Sequence, residues 1–181
     1  MFVVVSGTNR RDSASARIAA QVALHLRAQA QEVELIDLLG LSPEVLHPDA
    51  YFNRPACMEP YQAAIDRAQG MITVVPEYNG SFPGILKLWI DMLEFPKTFL
   101  DLPCAFIGLA AGTWGGLRPV EQLEQVFNYR NALIYSQRTF IPAVHDALDE
   151  ESRLKDEVMQ GRLQLQLDGF VKFALRNPRV R

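Results

Sequence analysis

Short runs rich in β-branched residues alternate along this chain with longer stretches of helical period, and that alternation restricts the fold more than any other feature. Phe2–Ser6 (FVVVS) opens the series as a continuous apolar run, the pattern of a strand covered on both faces. Glu32–Asp37 (EVELID) alternates and belongs nearer an edge. Gly70–Val75, Pro103–Leu109 and Ala132–Ile141 supply a third, fourth and fifth strand. Helices are expected over Ser13–Ala30, where Ile18, Val22 and Leu26 step by four, and over Tyr61–Gln69. Further helices are expected over Ser81–Leu93, with Ile85, Trp89 and Met92 on one stripe, and over Leu117–Asn131 through Val120, Leu123 and Phe127. A last helix runs from about Ser152 to Arg176; its RLQLQLD segment alternates, but Leu163, Leu167, Phe170, Val171 and Ala174 follow the helical period. Leu38–Pro60 has little periodicity and reads as a long loop. The whole implies an α/β fold with a parallel, doubly wound sheet.

A length of 181 residues suits a single domain over 1–181. The formal charge of -3 gives no reason to expect nucleic acid or an anionic membrane as partner. Cys57 and Cys104 lie far apart without a C-x-x-C spacing, so neither a disulfide framework nor a thiolate metal site is expected, and Cys104 reads as a buried free thiol. No apolar run approaches the roughly 20 residues that span a bilayer, and the N-terminus lacks a basic n-region. A cytoplasmic protein without a membrane segment is expected. His25, His47 and His145 are scattered and suggest neither metal nor nucleophile, and the acidic stretch Asp146–Glu151 reads as a solvated face.

Chemistry concentrates in the loops that follow strands. The first is Ser6-Gly7-Thr8-Asn9-Arg10-Arg11-Asp12-Ser13-Ala14-Ser15. In an open α/β sheet, ligands bind beyond the carboxyl ends of the strands. A helix N-terminus there presents free N–H groups to a phosphate. Thr8, Ser13 and Ser15 add hydroxyls, and Arg10 adds a cation able to engage two phosphate oxygens. The same residues also suit a plain helix cap through Asp12 or Ser13. The loop is neither a G-x-x-x-x-G-K-[ST] nor a G-x-G-x-x-G element, which argues against tightly bound ATP or NAD.

The second loop, Pro76-Glu77-Tyr78-Asn79-Gly80-Ser81-Phe82-Pro83-Gly84-Ile85-Leu86-Lys87, is the most specific. Asn79-Gly80 is a turn signal, with Ser81 a candidate N-cap and Pro83 an early helix residue. That accounts for backbone shape but not for the company of Glu77 and Tyr78. Here the chain resembles the NADPH-dependent FMN reductase family, flavodoxin-like quinone, azo-dye and chromate reductases. Their P-E-Y-N-x-S-x-P-G-x-L-K-N-A-I-D-W motif is matched from Pro76 to Lys87 and again at Ile90 and Asp91. Their first loop, G-S-x-R-x-x-S-x-[NST], reads Gly7 to Ser15 here with Thr8 for the usual serine. Their x-x-G-x-x-G-G loop is matched by Ala110-Ala111-Gly112-Thr113-Trp114-Gly115-Gly116.

The resemblance implies a flavodoxin-like five-stranded sheet of order 2-1-3-4-5 with helices on both faces. It implies that Thr8, Arg10, Ser13 and Ser15 hold the FMN phosphate. Pro76, Glu77, Tyr78, Asn79 and Gly80 would run along the isoalloxazine, and Gly112, Thr113, Trp114 and Gly115 would close its other edge, Trp114 either stacking near the flavin or filling core. The implied activity carries electrons from NADPH or NADH through FMN to a quinone, free flavin, azo compound or metal oxyanion, with no catalytic side chain and no metal. A flavodoxin-like electron carrier, or a flavin-binding protein without nicotinamide turnover, is the alternative; Arg10 and the Pro76–Asn79 loop favour the reductase.

The sequence departs from the family at Leu88-Trp89, where the family has N-A, and at Met92, where it has W. Large apolar residues then go nearly all round the helix expected over Ser81–Leu93. A surface helix needs only one apolar stripe, so this helix is expected to form a homodimer or homotetramer interface, unless Trp89 packs inside its own subunit. Lys87 and Asp91 could pair along the helix or across that interface.

Overall fold

In a computed structural model, which describes residues 1–179, five of the expected segments assemble into one parallel sheet. The strands are β1 (Phe2–Ser6), β2 (Val33–Asp37), β3 (Gly70–Pro76), β4 (Pro103–Leu109), β5 (Leu133–Ile134) and β6 (Thr139–Ile141). Their order is β2-β1-β3-β4-β5, with β6 also on β4. The last two residues of the expected domain, 180 and 181, lie outside those described. Alternation of side chains splits each central strand between two cores. Val3, Val5, Met71, Val75, Cys104 and Phe106 face α2 (Glu59–Arg67), α3 (Gly84–Asp91) and α4 (Leu117–Tyr129). Phe2, Val4, Ile72, Val74, Ala105 and Ile107 face α1 (Ala14–Ala28), the short α5 (Val144–Ala147) and α6 (Glu157–Arg176). The central strands are buried on both faces, as their unbroken apolar runs require. Among the described residues no helix is long and apolar enough to cross a membrane.

The fifth strand is not continuous. Cys104 pairs with Ile134 and Ile107 with Thr139, so Tyr135–Arg138 bulges away opposite Ala105 and Phe106. Tyr135 packs against Phe170 and Phe173. The Phe106 carbonyl accepts instead from the Gln166 side chain of α6, at 2.8 Å.

Two other expectations are revised. Leu38–Pro60 is not structureless: it holds 3-10 turns at Leu38–Gly40, Pro43–Leu46, Pro48–Tyr51 and Ala56–Met58 before α2 begins. The acidic Asp146–Glu151 stretch exposes the side chains of Asp146, Glu150 and Glu151 as expected, and its backbone is clipped to α1, where Arg17 donates to the Asp149 carbonyl at 2.6 Å and Gln21 to the Glu151 carbonyl at 2.8 Å. The helix expected from Ser81 starts at Gly84, and most of its apolar residues are covered by their own chain. Leu86, Trp89, Ile90, Met92 and Leu93 are buried in the first core, so an apolar surface all round α3 is absent. Trp89 is fully buried with its ring edge-on to Tyr61. Lys87 and Asp91 pair along the helix at 2.8 Å. Cys104 is buried, and burial pushes its thiol above the ordinary cysteine range.

Candidate functional site

The carboxyl ends of β1, β3 and β4 each open into one of the three loops read from the sequence. The first loop begins at Gly7, whose N–H extends the sheet to the Val74 carbonyl at 2.9 Å. A Cβ at position 7 would stand 2.7 Å from that same carbonyl, so the chain can pass here only as glycine. Ser13 caps α1, its Oγ accepting the Ala16 N–H at 3.1 Å. Thr8 is fully buried. Its Oγ1 accepts the Arg10 N–H at 3.2 Å and lies 2.7 Å from the Tyr78 hydroxyl. Ser15 is buried in the first turn of α1, and Ser6 Oγ, at the end of β1, is buried without a partner among the described residues. Arg10 is exposed.

The second loop leaves β3 with the Glu77 N–H donating to the Leu109 carbonyl at 2.9 Å. Tyr78 and Ser81 then exchange both backbone hydrogen bonds, at 2.8 and 3.1 Å. Between them Asn79 (φ 52°) and Gly80 (φ 77°) are both left-handed, the conformation a two-residue hairpin turn demands and the reason an Asn-Gly pair stands there. Ser81 does not cap α3 as expected. Its hydroxyl donates to Gln122 Oε1 at 2.6 Å, and Gln122 Nε2 donates to the Gly80 carbonyl at 3.2 Å. One turn earlier on α4, Arg118 donates to Glu77 Oε1 at 3.2 Å. Two side chains of α4 therefore fix the turn.

The third loop, between β4 and α4, turns on Gly115 (φ 58°) and Gly116 (φ 87°). A Cβ at 116 would meet the Leu109 nitrogen at 2.5 Å. Gly112 instead has open space where a Cβ would stand. Thr113 and Trp114 are exposed, and Trp114, at 60 % exposure, does not fill core. The second and third loops border a recess of about 190 Å³ lined by Glu77, Asn79, Gly80, Gly112, Trp114 and Arg118.

The three loops are thus one surface. The first and second are joined by the Thr8–Tyr78 hydroxyl pair, and the second and third meet around the recess. The donor set suits a phosphoryl group at the first loop: hydroxyls, the first-turn N–H groups of α1 and a cation with no ion pair among the described residues. Backbone edges at the other two loops suit a flat heteroaromatic ring. Reading by motif missed Arg118, Gln122 and Ser6. The first two carry a signal in hindsight: spaced i,i+4 just after Gly115-Gly116, they share one helix face that must overlook the neighbouring loop.

A family model described as NADPH-dependent FMN reductase matches residues 1–146. An NAD(P)H-dependent FMN reductase of Pseudomonas aeruginosa is 29% identical over 170 residues, covering 92% of this chain and 90% of that one. A 2-hydroxy-1,4-benzoquinone reductase from a Burkholderia species is 28% identical, covering 99% of this chain and 98% of its own. Among solved structures, FerB of Paracoccus denitrificans, described as a flavoenzyme NAD(P)H:(acceptor) oxidoreductase, superposes with a TM-score of 0.83 at 22% identity over 98% of both chains. That last likeness is one of fold.

Proposed function

The chain belongs to the NADPH-dependent FMN reductase family, and from that premise we propose that its three loops hold FMN, with the phosphate at the Thr8–Ser15 loop, the ring along Pro76–Gly80 and the far edge at Gly112–Gly115. The protein is an FMN-dependent NAD(P)H oxidoreductase. When bound, FMN would supply the redox chemistry between a reduced nicotinamide and a small-molecule acceptor. The chain's own residues bind and orient. Arg10 offers its guanidinium fork to phosphoryl oxygens, and the Ser13 and Ser15 hydroxyls and the α1 N-terminus supply further donors. The Asn79-Gly80 turn presents backbone edges, and Arg118 and Gln122 hold that turn still. The acceptor we infer is a quinone: a planar oxidant can enter the open recess beside Trp114, and one relative is named for a hydroxybenzoquinone. The convergence of three ligand-competent loops on one end of the sheet carries this reading.

Titration with FMN should quench flavin fluorescence, and either NADPH or NADH should then drive quinone reduction. Arg10→Ala should weaken FMN by about 1.5–3 kcal/mol, the worth of a charge-assisted contact, while riboflavin, which lacks the phosphate, loses far less. Wild-type protein that binds no FMN at high micromolar flavin would overturn the reading.

We further infer a homo-oligomer, dimer or tetramer, but not through Trp89. A groove of about 470 Å³ runs between α3 and α4. At its mouth Phe95 and Tyr129, 62 % and 74 % exposed, stack with centroids 6.0 Å apart. Two exposed aromatic rings side by side favour cover by a second copy. Sedimentation should show a species larger than the 20.4 kDa chain, and Tyr129→Glu should reduce it. A wild-type monomer at high micromolar concentration would rule this out.

A further inference from the structure

Resting on the reading of these loops as an FMN site, we propose that Thr8 is a positioning residue that turns the Tyr78 hydroxyl outward as a hydrogen-bond donor to the FMN phosphoryl group. A threonine hydroxyl has one proton and two lone pairs. At Thr8 one lone pair takes the Arg10 N–H at 3.2 Å, and the Tyr78 oxygen lies 2.7 Å away. Two directions of that bond are open. If Tyr78 donated, both lone pairs of Thr8 would be filled and its proton stranded at a residue with no exposed surface. An unpaired buried donor carries the full desolvation penalty. If Thr8 donates, its proton and the Arg10 N–H are both satisfied, and the proton left over belongs to Tyr78.

The Tyr78 side chain is only half-buried, and among the described residues its hydroxyl has no acceptor other than Thr8. The free phenol proton therefore faces a ligand or solvent. Its position narrows the choice. Tyr78 belongs to the second loop, yet its oxygen sits beside Thr8 and the Arg10 amide, within the first loop's cluster of donors. A phosphoryl group offers only acceptor oxygens at this end, which matches a lone donor.

The test compares dissociation constants for FMN and riboflavin, read by flavin fluorescence, with a urea midpoint recorded for every variant. Tyr78→Phe should weaken FMN roughly ten- to a hundredfold and riboflavin by under about threefold. Thr8→Val should shift FMN in the same direction, and Thr8→Ser, which keeps the hydroxyl, should hold close to wild type. The double variant Thr8→Val/Tyr78→Phe should bind FMN no worse than Tyr78→Phe alone, because Thr8 acts through the phenol. Tyr78→Phe decides the matter by itself if Thr8→Val does not fold. Equal losses for the two flavins, or losses that add in the double variant, would overturn the assignment while leaving FMN binding intact. Wild-type protein that bound neither flavin would remove the FMN reading and this inference together.

Discussion

Trp89→Ala should destabilise the native state by about 3–5 kcal/mol, the usual cost of deleting a large buried aromatic. Domains of this kind have about 5–15 kcal/mol in total, so a large share of the stability rests on one side chain. The ring has no exposed surface and sits in the core beneath α3, edge-on to Tyr61 at 6.4 Å between centroids. Among the described residues its indole N–H has no partner, so the loss is packing and leaves no acceptor stranded. Trp89→Glu should be worse, because the carboxylate would be buried without a counter-charge, and the variant should fail to fold. Urea denaturation reads both. A shift in midpoint at constant slope identifies a change in native stability. A Trp89→Glu protein with a wild-type midpoint would show that the ring is not core. A variant that cannot fold reports nothing about association, so Trp89→Glu is no test of subunit contact.

Gly116→Ala should damage the third loop more than its size suggests. The backbone there is left-handed at φ 87°, which costs an L-residue about 1–2 kcal/mol. The added Cβ would stand 2.5 Å from the Leu109 nitrogen and 2.9 Å from Gly108. Those neighbours are backbone of a central strand and cannot swing aside, so the loop must move. A displacement of order 1 Å at a positioning element can reduce turnover by about 10²-fold, and NAD(P)H-dependent quinone reduction should fall on that order. Gly84→Ala is the control: nothing lies within 4 Å of its Cβ and it opens α3. It should be neutral, or gain about 0.4–1 kcal/mol from the unfolded state. Matched behaviour of the two variants would show that Gly116 does not set the loop.

The strands were legible because their physics is local. β1, β3 and β4 are buried on both faces and so read as unbroken apolar runs, and their ends agree with the sequence to within a residue. The second and third loops were legible because left-handed turns need glycine or asparagine, and Asn79, Gly80, Gly115 and Gly116 stand where φ is positive. What was not legible is tertiary. The interruption between Ile134 and Thr139 has no Gly or Pro to announce it; it exists because Gln166, far along the chain, satisfies the Phe106 carbonyl that a continuous strand would have paired. Ser81 looked like a cap, yet its hydroxyl serves Gln122 on another helix. The apolar excess around α3 suggested a second molecule, yet the chain's own core and the segment to Leu102 cover it. The 3-10 turns after β2 were partly announced: Ser42-Pro43 and His47-Pro48 each place a cap before a proline at the first turn.

The broken fifth strand governs how copies of this chain can meet. A long straight outer strand presents a row of unpaired N–H and C=O groups that another chain can extend into a continuous ribbon, the route to fibres. Here that border has two residues at Leu133–Ile134, a bulge, then three at Thr139–Ile141. The bulge bends the rim and leaves no straight row for an incoming strand to match. At high concentration during synthesis or refolding, the shape of this border, with Arg138 in the bulge and Pro142 closing the last strand, works against mispairing.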